Sequence, residues 1–120
     1  MPQEDLDLEL LRHLNAQPAA SQRKLAESMG VSVGKLNYCL RALVDRGWVK
    51  ANNFRRSDNK WAYAYLLTPK GLSAKLRLTS QFLRRKELEF LELQLQISVL
   101  RTELSAANGE ASVPAERKPR

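Results

Sequence analysis

The stretch LAESMGVSVGKLNYCLRALVDRG, residues 25–47, decides how the chain reads. Two helical patterns meet in it at Gly30. Leu25, Ala26 and Met29 share one side of the first, and Leu36, Cys39, Leu40 and Leu43 share one side of the second when spaced as on a helix. Glycine adopts a left-handed turn without steric cost, so Gly30 predicts the end of one helix, and Ser32 predicts the N-cap of the next. On the opposite side of the second pattern stand Gly34, Asn37, Tyr38 and Arg41. That side has no place in the core, so its composition bears on what the helix meets outside.

Working toward the N-terminus, Leu6, Leu10, Leu11 and Leu14 recur at helical spacing, and Glu4, Asp5 and Asp7 occupy the end where the helix dipole favours negative charge. This predicts a first helix ending near Asn15. Pro18 breaks it, Ser21 caps a second helix running over about 22–29, and a third runs from Val33 to Arg46, closed by Gly47. Toward the C-terminus, WVKANNF (48–54) and WAYAYLLT (61–68) are rich in strand formers. In the second, Trp61, Tyr63, Tyr65 and Leu67 alternate with Ala62, Ala64 and Leu66, the two-residue period of a strand. RRSDNK (55–60) between them is a polar turn, which makes a hairpin. Thr68 and Pro69 then suit a cap and a first helical position, and the pattern from Lys70 to Ala106 predicts one helix of roughly 37 residues, about 55 Å long. Asn108 and Gly109 end it, and the polar EASVPAERKPR (110–120) is expected to be disordered.

Composition narrows the function classes. The chain has 120 residues and a formal net charge of +7, which favours an acidic partner such as nucleic acid. The charge is unevenly spread: residues 21–47 hold five basic and two acidic side chains, residues 48–68 hold four and one, and residues 1–20 hold one and four. One cysteine, Cys39, and one histidine, His13, supply neither an internal disulfide nor a structural zinc set. No metal or other cofactor is expected. No window approaches the ~20 apolar residues of a membrane span, and the N-terminus lacks a signal-peptide run, so a cytoplasmic protein without membrane association is expected. No phosphate-cradling glycine loop occurs and no nucleophile pairs with a base, so an enzyme is not expected. Cys39 lies inward on the third helix, where a core thiol is the simpler reading than a redox switch.

The order helix, helix, turn, helix, hairpin is that of a winged helix-turn-helix. Ala26 stands where two helices must cross closely, Gly30 at the turn and Leu36 at the plug into the core, with Leu25 and Val31 flanking. The fold class is therefore mainly α with a β-hairpin wing, a winged helix-turn-helix followed by one long C-terminal dimerisation helix. The expected divisions are 1–68, 69–107 and a tail at 108–120. In SQRKLAESMGVSVGKLNYCLRALVDRGWVK, NNFRRSDNKWAYAYLLTPKG and the helix after them, the sequence resembles the MarR-type winged-helix regulators, most closely the small EPS-associated subgroup. The resemblance covers about residues 5–100. It implies sequence-specific binding of double-stranded DNA as a homodimer and a link to exopolysaccharide genes.

On that reading the third helix enters the major groove. Asn37 can pair with an adenine edge, Arg41 with guanine or phosphate, and Tyr38 with phosphate or a thymine methyl. Ser32, Val33, Gly34 and Lys35 complete the contacting turn, with Gly34 holding nothing between helix and groove. Ser21, Gln22 and Arg23 open the second helix, whose N-terminus attracts phosphate. Arg55, Arg56 and Lys60 make a basic wing tip suited to backbone or minor-groove contact. Trp48, Trp61, Tyr63 and Tyr65 are read as wing core rather than a base-stacking platform.

In the long helix Leu83, Phe90, Ile97 and Leu104 are spaced by heptads, with Leu93 and Leu100 completing the seam. One helix cannot bury such a seam alone, so a second copy is expected there, with parallel or antiparallel pairing left open. Leu88, Leu91 and Leu95 make a further side apolar. A basic run from Lys70 to Lys86 precedes Glu87, Glu89 and Glu92, and suits either flanking phosphates or solvent. The competing reading of the whole chain is a protein-interaction module working through this helix. Operator, target genes and any small-molecule effector are not legible in the sequence.

Overall fold

The computed structural model describes residues 2–55, 58 and 61–109, with Trp61 described in its backbone alone. Three helices, α1 (Gln3–Ala16), α2 (Gln22–Met29) and α3 (Val33–Asp45), precede an antiparallel hairpin of β1 (Val49–Arg55) and β2 (Trp61–Leu67). The long helix α4 follows over Pro69–Ala107. The register runs from Val49 opposite Leu67 to Arg55 opposite Trp61. Arg56, Lys60 and the tail at 110–120 lie outside the described residues.

The local signals act where the sequence puts them. The Ser21 hydroxyl accepts from Lys24 N at 3.1 Å and that of Ser32 from Lys35 N at 3.0 Å, so each satisfies a backbone donor that a helix start leaves unpaired. Gly30 has φ 69°, and the chain then turns with Val31 N–H bonded to Ala26 O at 3.0 Å. This left-handed residue sets the geometry between α2 and α3.

Two compact units divide the chain inside α4, one ending at Phe82 and one beginning at Leu83. The core of the first joins Leu10, Leu11 and Leu14 of α1 to Leu25, Ala26 and Met29 of α2, Leu36, Cys39, Leu40 and Leu43 of α3, Val49 of β1 and Leu78 of α4. Each such leucine contributes about 1.5–3 kcal/mol relative to exposure. Leu8, off the predicted stripe, is buried as well, because α1 packs against α2, α3 and β2 together.

Polar ties hold the same unit. The Asp7 carboxylate, 4% exposed, accepts from Gln3 Nε2 at 2.9 Å and from Arg46 Nη1 at 3.0 Å, joining α1 to the end of α3. The Trp48 ring carries the Arg46 guanidinium at 5.1 Å and that of Arg77 at 5.8 Å. Thr68 Oγ1 donates to Gly47 O at 2.6 Å and accepts from Gly71 N at 3.0 Å, so the start of α4 is fastened to the end of α3. A Cβ on Gly71 would stand 1.9 Å from the Trp48 carbonyl oxygen, so only glycine permits this approach.

The second unit is the remainder of α4. Leu83, Phe90, Leu93, Ile97, Leu100 and Leu104 are exposed, as are Leu88, Leu91 and Leu95.

Candidate nucleic-acid interface

The capped start of α3 orients its outward face. Val33, Gly34, Lys35, Tyr38 and Arg41 are exposed, Tyr38 by 68%, and Asn37 is half-buried. The Lys35 ammonium lies 5.7 Å from the centre of the Tyr38 ring. Arg41 has no ion-pair partner among the described residues. Around the position where Gly34 would carry a Cβ there is nothing within 4 Å. Glycine costs a helix up to about 1 kcal/mol relative to alanine, and no contact among the described residues requires it at that position.

Beside α3 stands the start of α2. Ser21 and Arg23 are exposed, while Gln22 is half-buried and makes two bonds. Its Oε1 accepts from Asn37 Nδ2 at 3.2 Å, and its Nε2 donates to the Tyr65 hydroxyl at 3.2 Å. Asn37, Gln22 and Tyr65 thus form a hydrogen-bonded chain across α3, α2 and β2. It borders an open hollow of about 180 Å³ lined also by Leu40, Arg41, Val44 and Asp45. On the wing, Arg55 is exposed. Tyr65 packs against the core as expected of a wing-core residue, but Tyr63 is 56% exposed, with its ring 6.3 Å from that of Tyr65 and nearly parallel to it. The alternation puts both tyrosines on one side of β2; the ends of that side differ in what packs beneath them.

An outward polar helix face, a capped helix start and a strand hairpin therefore meet around Gln22. Residues 3–50 match the family model described as winged helix-turn-helix DNA-binding. The chain contains a winged helix-turn-helix domain. No curated protein matches it. Among solved structures it is similar to the PcaV transcriptional regulator of Streptomyces coelicolor bound to its natural ligand, at TM-score 0.61 and 20% identity over 89% of this chain and 74% of that one. MepR, a transcription regulator of the Staphylococcus aureus multidrug efflux pump MepA, is similar at TM-score 0.56 and 17% identity over 84% and 76%. Staphylococcus aureus MarR in complex with salicylate and kanamycin is similar at 0.55 and 14% over 88% and 73%. The likeness to these three regulators is one of fold and covers 84–89% of this chain.

Within the winged helix-turn-helix, the surplus of basic side chains falls on α2, α3 and the hairpin, whereas the N-terminal 20 residues are acidic. Part of the basic run of α4 is engaged elsewhere: Arg77 lies on Trp48, and Arg85 and Lys86 pair with Glu89 at 3.9 and 3.2 Å. Among the described residues no helix is long and apolar enough to cross a membrane, and no group of three or more His, Cys, Asp or Glu side chains is placed to hold a metal ion. Cys39 is buried and accepts a bond from Gln3 Nε2 at 3.7 Å.

The bonding of Gln22 and Tyr65 is not apparent from the sequence. Gln22 reads there as a backbone-contacting residue and Tyr65 as core, and they are 43 positions apart. The one local signal is the hydroxyl-bearing aromatic itself, on the side of β2 that packs against the core.

Proposed function

We propose that this chain is a transcriptional regulator that reads double-stranded DNA with α3 and binds as a homodimer joined through α4. Asn37, Tyr38 and Arg41 meet base edges, with Ser32, Val33, Gly34 and Lys35 forming the turn that approaches the groove. Ser21, Arg23 and the basic wing residues Arg55, Arg56 and Lys60 hold the phosphate backbone. The observation that carries this reading is Gly34, a helix glycine that no contact among the described residues requires, on the same outward face as the exposed Tyr38 and Arg41.

Two copies related by a two-fold axis present two α3 helices, which suits an inverted repeat with half-sites about one DNA turn apart. Occupying a promoter then represses by exclusion, and the EPS-associated resemblance makes exopolysaccharide genes the first targets to examine. The exposed seam of Leu83, Phe90, Leu93, Ile97, Leu100 and Leu104 supports the dimer.

The test is selection of duplexes from a random library by purified protein at near-physiological salt, where weak phosphate binding is suppressed. Enrichment of an inverted repeat is expected, and joint Arg41→Ala and Arg55→Ala substitution should abolish it. Recovery of no motif by the wild type would overturn the DNA-reading function in favour of a protein-interaction role for α4.

A further inference from the structure

Resting on the reading of α3 as a base-contacting helix, we infer that Tyr65 on the wing is a specificity-positioning residue, setting through Gln22 which way Asn37 presents its amide. Asn37 Nδ2 donates to Gln22 Oε1, and Gln22 Nε2 donates to the Tyr65 hydroxyl, both at 3.2 Å. Of the three side chains Tyr65 is the anchored one. Its ring packs against the core and stacks near Tyr63, and its backbone N–H bonds to Pro18 O at 2.9 Å.

A primary amide has a donor end and an acceptor end of nearly equal size, so an unrestrained asparagine presents either to a base. Here one Nδ2 hydrogen of Asn37 is held by Gln22. The other, together with Oδ1, remains for a base, and this pair matches N7 and N6 of adenine. Turning Asn37 over would set its oxygen against the Gln22 oxygen unless Gln22 turned too. Gln22 can turn only if the Tyr65 hydroxyl changes from acceptor to donor. A phosphate oxygen accepting a hydrogen bond from the Tyr65 hydroxyl would remove that option, because the hydroxyl has one hydrogen to donate. Backbone docking of the wing thereby locks the orientation in which Asn37 reads a base, and Gln22 is a relay rather than a phosphate contact.

The test compares duplex selection by the full-length wild type with that by Asn37→Ala, Tyr65→Phe and Gln22→Leu. Asn37→Ala identifies the base pair concerned. Tyr65→Phe keeps the ring, and both it and Gln22→Leu should relax preference at that same pair by roughly 3- to 10-fold, the range of one hydrogen bond. Preference at the other positions and the salt dependence of binding should stay unchanged. The double variant should be no worse than the single ones, since both act through one chain. An unaltered motif in Tyr65→Phe, or a uniform loss of affinity without a change of preference, overturns the inference while leaving the DNA-reading function standing. No motif from the wild type overturns both.

Discussion

The first turns of α3 and α4 each contain a glycine, and the two have opposite surroundings. Gly71 is pressed against the Trp48 carbonyl, and a Cβ there would meet backbone that cannot move aside. Gly34 faces open space. One is explained by the chain's own packing; the other has no such reason among the described residues. The same division separates the two parts of α4. Up to Phe82 the helix contributes Ala74 and Leu78 to a closed interior, and beyond it Phe90, Ile97 and Leu100 are exposed. On the function proposed above, residues that are costly or apolar without a reason among the described residues mark where a partner would sit, and both α3 and α4 carry such positions.

Experiments can break this contrast or sharpen it. The largest effect is expected from joint Phe90→Glu and Ile97→Glu substitution. Each removes roughly 1.5–3 kcal/mol of apolar burial per side chain across a dimer, so association measured by sedimentation should weaken by at least about 100-fold. A monomeric wild type would break the comparison at α4. Next, Gly71→Ala should lower folding stability by about 3 kcal/mol in urea denaturation, at the upper end of what overpacking costs. A near-neutral result would mean that the Trp48 carbonyl yields easily.

Arg46→Ala should cost about 1–2 kcal/mol, because it leaves the buried Asp7 with only Gln3 as partner among the bonds described. The figure is held down by the 45% exposure of the arginine side chain. The smallest change sharpens the contrast most: Gly34→Ala should raise stability by a few tenths to about 1 kcal/mol while weakening binding to a selected duplex. Stabilisation with unchanged binding would remove the external reason for that glycine.

Much of the fold was legible because its signals are local. Ser21, Gly30, Ser32, Gly47 and Thr68 act through bonds or backbone angles within a few residues, and the apolar spacing of α1 to α3 needs only helical periodicity to be read. Tyr63 was harder. Period-two alternation puts it with Tyr65, yet burial depends on what lies beneath each residue, and that is supplied by elements far away in the chain. The candidate site divides likewise. The outward face of α3 follows from the inward stripe, since one determines the other on a helix, whereas the joining of Asn37 to Gln22 and Tyr65 depends on how three elements converge.

By itself the sequence determined the order of elements, their caps and turns, the inward and outward sides of α3, and the placement of positive charge, all properties set by neighbours within about one helical turn or by composition. Tertiary structure alone decided that Gly71 must be glycine, that Asp7 is buried against Arg46, that Leu8 joins the core, and that a wing tyrosine is linked through Gln22 of α2 to Asn37 of α3. Those facts depend on distances between segments remote in the chain, and hydrogen bonds and excluded volume vary over tenths of an ångström that no periodicity encodes.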